Sequence, residues 1–252
     1  MDLITEINSK IDEKSWIDSL AHSVSSTAYQ LPNWLEIYQK SFNSIPFYIT
    51  IKNEYDQIVG QLACIIHKDY HWRQSKTISK FLGQKLKLNS TLYWSYGPII
   101  YDKPNYDLIL SQILTAVDKI ISQNKINYVN GSLSPFEKID YKTFENFQYT
   151  KKLWSTYFLD LTKSNSDLLS GFNKKIRYDV RNAIKMNLKF EVVSERKQFD
   201  EFAKFGVESK NLKGDSRKWN PIFYENYWNL MYRNGFHKAF LVRDENEILG
   251  SI

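Results

Sequence analysis

One pattern constrains the fold more than any other, because it occurs twice. Phe47-Tyr48-Ile49-Thr50-Ile51 alternates and is rich in β-formers; the turn Asn53-Glu54-Tyr55-Asp56 comes next, then the apolar run Ile58 to Ile66. Ala239-Phe240-Leu241-Val242-Arg243, the charged turn Asp244-Glu245-Asn246-Glu247 and Ile248-Leu249-Gly250-Ser251-Ile252 repeat it. Each stretch reads as a β-hairpin. Each comes after a Trp-bearing helix. Pro32 opens the first, with Trp34, Leu35, Tyr38 and Phe42 at helical spacing, and Pro221 opens the second, through Tyr227, Leu230 and Met231. A supersecondary unit used twice predicts two related domains in one chain.

The two copies continue differently. After the first come a strand pattern at Tyr93 to Tyr101, broken at Gly97-Pro98, a helix over Tyr106 to Gln123 and a strand over Ile126 to Gly131. That helix places Ile109, Leu110, Ile113, Val117, Ile120 and Ile121 on one face. The second copy stops inside its second hairpin strand, which leaves a sheet uncompleted, so the expectation is of a fragment with its second domain truncated. Between the copies, residues 138–152 read as a polar connector and Trp154 to Leu161 as a strand. A cap at Ser164, Asn165 or Ser166 then starts a helix running to about Asn187. A short helix near Trp16 to Leu20, a strand over Lys189 to Val193 and a helix over Phe199 to Glu208 complete the reading. The mixture predicts an α/β chain (α+β, mixed sheet) divided into residues 1–150 and 151–252.

Several chemistries are excluded. The nine glycines contain no pair closer than Gly206 and Gly214, so there is no dinucleotide loop and no P-loop, and no nicotinamide, flavin or Walker-type ATP chemistry is expected. The single cysteine, Cys64, lies inside an apolar run and reads as a buried structural thiol. His67 and His71 have metal-helix spacing, but Lys68 occupies the place of a catalytic glutamate and no further ligand is near; a surface pair and no metal site are expected. The N-terminus has no basic-then-apolar leader, and no apolar run approaches the ~20 residues that span a bilayer, so a cytoplasmic location is expected. The net charge of +6 is a weak hint of a phosphate-bearing partner.

Asn173 to Leu188 carries the most chemical information. On a helical wheel Lys174, Arg177, Arg181 and Lys185 share one arc, and Ile176, Val180, Ala183 and Ile184 the other. Four aligned cations can neutralise phosphates. From spacing alone a solvated basic face is the more ordinary reading.

The stretch Arg177-x-x-Val180-Arg181-Asn182-Ala183-x-Lys185 resembles the R-x-x-I-R-K-A-x-K pattern of the Fem family, the peptidoglycan interpeptide-bridge aminoacyltransferases. Gln30-x-x-x-Trp34 resembles that family's opening Q-x-x-x-W, and Phe202 to Gly214 its helix leading into a T-x-x-R-x-G segment. Where the family tends to have a lysine four after the tryptophan, this chain has Tyr38; Leu212 stands at the arginine position, with Lys213 beside it. Asn187 replaces a glycine that often comes after the basic helix and still tolerates a left-handed cap.

The resemblance implies two tandem GNAT-like acyltransferase domains. It implies transfer of an amino acid from aminoacyl-tRNA, as co-substrate rather than cofactor, to an amine of a peptidoglycan precursor, with possible peripheral contact with a membrane-bound precursor. Lys174, Arg177, Arg181, Lys185 and Lys213 become candidates for phosphate contact, and Trp34 and Tyr38 for the acceptor groove. No catalytic residue is named, and the chain alone is expected to be inactive. Two alternatives stay open: a GNAT-type N-acyltransferase using acetyl- or acyl-coenzyme A on a small or sugar amine, and a non-catalytic tRNA-binding module.

Overall fold

The computed structural model describes residues 2–68, 90–136, 140–153, 155, 159–212, 221–245 and 247–252. The chain divides into two compact units. One is Met1–Thr150 with Trp219–His237, the other Lys151–Lys218 with Lys238–Ile252. The segment Pro221–His237, expected with the second half, packs with the first.

The first unit holds a mixed sheet. Its strands are β1 (Ile4–Asn8), β2 (Ile45–Lys52), β3 (Ile58–Lys68), β4 (Ser90–Trp94), β5 (Ile99–Ile100) and β6 (Tyr128–Gly131). They are ordered β1-β2-β3-β4-β6, with β5 paired to β3. All pairs are antiparallel except β4 with β6. The turn joining β2 to β3 is built by Asn53, whose Oδ1 accepts from the N–H groups of Tyr55 and Gln57.

Both faces of this sheet are covered, which is why β3 reads as an unbroken apolar run. On one face Leu62, Cys64 and Ile66 pack against Ile109, Leu110, Ile113, Val117 and Ile120 of α3 (Tyr106–Asn124). On the other, Tyr48, Ala63 and Ile65 pack against α1 (Glu13–Ala21) and α2 (Pro32–Phe42) through Trp16, Leu20, Leu35 and Ile37. Each such side chain fully buried contributes roughly 1.5–3 kcal/mol. At Gly60 the sheet and α3 approach so closely that a Cβ would lie 2.5 Å from Ile109 Cγ2. Asp12 caps α1 through the Lys14 N–H, and α2 ends at Asn43 in the left-handed region, φ 53°.

The expected connector 138–152 contains a short helix, α4 (Lys142–Asn146), anchored by buried Phe144 and by Thr143, whose hydroxyl donates to Asp107 Oδ1. Phe147 and Tyr149 of the same stretch pack against the core as well.

The second unit starts with α5 (Asn165–Gly171) and α6 (Lys174–Lys185). The sequence pattern predicts one helix here. It breaks because two side chains each start one: Ser164 accepts from the Asp167 N–H, and Asn173 accepts from the Ile176 N–H. The expected strand Trp154 to Leu161 is not formed at Leu159–Leu161, where Asp160 accepts from the Thr162 N–H and hydroxyl in a turn; residues 154 and 156–158 lie outside the described residues. Then come β7 (Lys189–Val192), α7 (Arg196–Leu212), β8 (Phe240–Asp244) and β9 (Glu247–Ser251), in the antiparallel order β7-β8-β9. Phe199 and Ala203 of α7 and Leu241 of β8 are buried. Arg243 bridges Glu191 of β7 and Glu201 of α7.

Candidate functional site

The parallel pair β4/β6 sets the first site, because ligands of α/β sheets bind outside the carboxyl ends of parallel strands. Beyond Trp94 and Gly131 the two strands remain linked: Ser132 N–H donates to Trp94 O at 3.1 Å and Gly97 N–H to Ser132 O at 3.0 Å. On its other side β4 parts from β3. The last pair is Ile65 with Tyr93, and pairing resumes only at Gln61 with Ile99. The chain between bulges out through Tyr96, at φ 51°, and the cis bond Gly97–Pro98.

Gln30 fills the opening. Its Oε1 accepts from the Ala63 N–H at 2.9 Å, and its Nε2 donates to the carbonyls of Ala63 and Ser95. This buried amide satisfies main-chain groups that the missing strand pairing leaves bare, which otherwise cost about 1–3 kcal/mol each. At Gly97 a Cβ would meet Leu62 Cδ1 at 2.8 Å and Gln30 Nε2 at 3.0 Å, so the bulge needs glycine there.

Aromatic rings gather over this end of the sheet. Trp34 lies 4.9 Å from Tyr29, 5.4 Å from Tyr38, 6.3 Å from Tyr227 and 5.9 Å from His237, measured between ring centroids. Tyr29 in turn lies 5.3 Å from Tyr96 on the bulge. Tyr227 belongs to α8 (Pro221–Tyr227), which continues as a π-helical turn, Trp228–Tyr232, and packs on α2. Beneath Trp34 and Tyr38, against Ile65, Tyr93 and Ser95, a slot of about 10 Å³ has room for a single water.

Two histidines flank the row. His67 is not the surface residue expected. Its Nδ1 is 2.8 Å from Ser44 Oγ, its ring is 5.3 Å from Tyr38, and burial pulls it down to about 4. His71 lies outside the described residues. His237 shares a hydrogen bond with the Tyr227 hydroxyl, and partial burial lowers it below the usual imidazole range. Burial first, and then nearby tyrosines (Tyr96 and Tyr93 for Tyr29; Tyr29, Tyr232 and Tyr224 for Tyr227), push the phenols of Tyr29 and Tyr227 up, so they stay neutral. Cys64 is fully buried and its thiol is pushed up to about 12.

The basic stripe is in the second unit. Lys174, Arg181 and Lys185 are exposed along α6. Arg177 is engaged locally: Nη1 donates to the carbonyls of Ser170 at 3.0 Å and Phe172 at 2.6 Å, closing the end of α5. Of the opposite arc, Val180 and Ala183 are half-buried, but Ile176 and Ile184 are exposed, Ile184 to 72%. Asn187 does adopt the left-handed conformation, φ 55°. Lys213 lies outside the described residues. Trp34 and Tyr38 are thus brought together in one cluster. Tyr29, Tyr96, Tyr227 and His237 join them unannounced by the sequence, since nothing short-range marks residues so far apart along the chain. Only the Gln30-x-x-x-Trp34 spacing points at this place.

Among the described residues no three His, Cys, Asp or Glu side chains converge as metal ligands, and no helix is long and apolar enough to cross a membrane.

No family model matches the sequence, and no curated protein matches it significantly. Among solved structures, FemX matches with a TM-score of 0.64 at 16% identity, over 96% of this chain and 57% of that one. An aminoglycoside antibiotic 6'-N-acetyltransferase from Acinetobacter baumannii matches with a TM-score of 0.40 at 11% identity, over 63% of this chain and 98% of that one. This chain therefore spans 57% of the length of the FemX structure. With its mixed sheet, parallel β4/β6 pair and flanking helices, the chain has a fold like that of FemX.

Proposed function

We propose that this chain is an acyltransferase that moves an amino acid from aminoacyl-tRNA to an amine of a peptidoglycan-precursor peptide or a similar acceptor, in the cytoplasm. The Fem-like fold over 96% of the chain carries the reading. The repeated hairpin, each time paired with an earlier antiparallel strand, supports its tandem form. The reaction asks little of side chains: a neutral amine attacks an ester carbonyl, and the protein orients the two and stabilises the developing oxyanion. The acceptor lies along Trp34 and Tyr38. Lys174, Arg181 and Lys185 meet phosphates of the tRNA or of a diphosphate-linked precursor. Arg177 has a smaller share, because its guanidinium already serves two carbonyls.

The test is on binding, which needs no turnover. Filter binding of aminoacyl-tRNA to the wild-type chain and to Lys174→Ala/Arg181→Ala/Lys185→Ala measures affinity against salt. A loss of affinity with a salt slope shallower by about 2–3 supports the reading. Equal affinity and slope overturn it.

A further inference from the structure

The aromatic cluster has a chemical asymmetry that packing alone does not require. It is electron-rich and uncharged. His237 faces Tyr29 from the turn before α2, Trp34 from α2 and Tyr227 from α8, and the two phenols are the titratable groups among these. No charged side chain among the described residues bonds to Tyr29, Trp34 or His237. All four side chains are half-buried, so each keeps part of its surface open to solvent. In the tautomer whose Nδ1–H donates to the Tyr227 hydroxyl oxygen, Nε2 keeps the free lone pair, and it has no partner among the described residues. Aromatic faces attract cations, and a neutral imidazole nitrogen accepts from an ammonium N–H without repelling it.

We infer that Tyr29, Trp34 and His237 form a site for a primary alkylammonium group, His237 Nε2 accepting its hydrogen bond and the rings of Tyr29 and Trp34 carrying its charge. The inference rests on the acyltransferase reading in one respect: the ammonium is then the resting form of the acceptor amine. Tyr227 is a positioning residue, its hydroxyl oxygen accepting from Nδ1–H so that the lone pair lies on Nε2. Once protonated, His237 would repel the same cation. Binding is therefore present at neutral pH and lost as pH falls through His237's depressed titration, below about 6.5.

The test uses the full chain with no acyl donor present. n-Butylammonium and its neutral analogue n-butanol are titrated while the histidine Cε1–H and tryptophan indole NMR signals are tracked. The ammonium is expected to saturate at millimolar concentration, at least about tenfold tighter than the alcohol, and to shift the signals of His237 and Trp34. His237→Phe keeps a ring but removes the acceptor; it is expected to weaken the ammonium about tenfold and abolish the acid-side loss. Equal binding of ammonium and alcohol overturns the site, whether or not the variant folds. Unchanged ammonium affinity in a folded His237→Phe overturns the role of the imidazole. Because neither tRNA nor acyl donor is present, a negative result here leaves the tRNA measurement standing, and a negative there leaves this site standing.

Discussion

The β2–β3 and β8–β9 hairpins are the same construction in different surroundings. In each, an earlier strand pairs antiparallel with the first arm, β1 with β2 and β7 with β8. In each the register slips at the same step: after Ile51 with Gly60 in the first, after Val242 with Gly250 in the second. The glycines are equivalent but their neighbours are not. A Cβ at Gly60 would collide with Ile109 of α3, whereas at Gly250 it would meet only Val242 Cβ, at 3.9 Å. The face that α3 covers in the first unit has no covering helix among the described residues of the second. There Phe190 (62% exposed), Val192 (52%) and Ile252 (78%) join the half-buried Phe240 and Val242, with Phe190 stacked on Phe240 at 5.3 Å. The charged groups Glu191 and Arg243 sit on the other face, towards α7. Strand order and register are thus fixed by the hairpin and the strand before it. Burial of the sheet's second face is a separate matter, decided by the helix after it.

The largest expected effect tests that separation. Ile113→Ala, at a fully buried α3 position, should lower stability in urea by about 2–5 kcal/mol, while Val192→Ala on the open face should change it by less than about 0.5 kcal/mol. Comparable losses would mean that the open face is covered in solution.

The next effect uses pH. All four histidines lie in the first unit's residue range, and none in the second's. His67 titrates near 4 when folded and near 6.5 when unfolded, so below pH 6.5 the unfolded chain takes up the proton first. His67 should take about 3 kcal/mol from first-unit stability between pH 6.5 and 4, after which its share levels off, and His67→Gln should remove that share while leaving the further loss from His237. A loss of equal size in His67→Gln would assign it to other groups.

The smallest effect is the sharpest comparison. Gly60→Ala should destabilise by about 1–3 kcal/mol through overpacking, and Gly250→Ala should be neutral within about 0.5 kcal/mol. Thermal melts of the two variants, side by side, would show whether the equivalence of the hairpins extends to their packing.

Legibility in the residues alone is a matter of range. The hairpins and α3 announce themselves because alternation and helical spacing are local, and so does the cationic arc on α6. The break between α5 and α6 is hidden, because Asn173 looks like any helix residue until its side chain is seen accepting from the Ile176 N–H. Arg177 looks like one more phosphate contact because spacing cannot show that carbonyls of the preceding turn are nearer. The aromatic cluster draws Tyr29 and Trp34 from one end of the sequence and Tyr227 and His237 from the other, a pairing that no local period encodes.

A sheet that uses a side chain as one of its rungs ties two distances together. Gln30 lies two residues before α2 begins, and its amide bonds both Ala63 in β3 and Ser95 at the tip of β4. Widening the gap between those strands would draw on the start of the helix, and shifting the helix would unseat the rung. The rings of Trp34 and Tyr38 are therefore set in place by the spacing of the strands beneath them, before any ligand arrives.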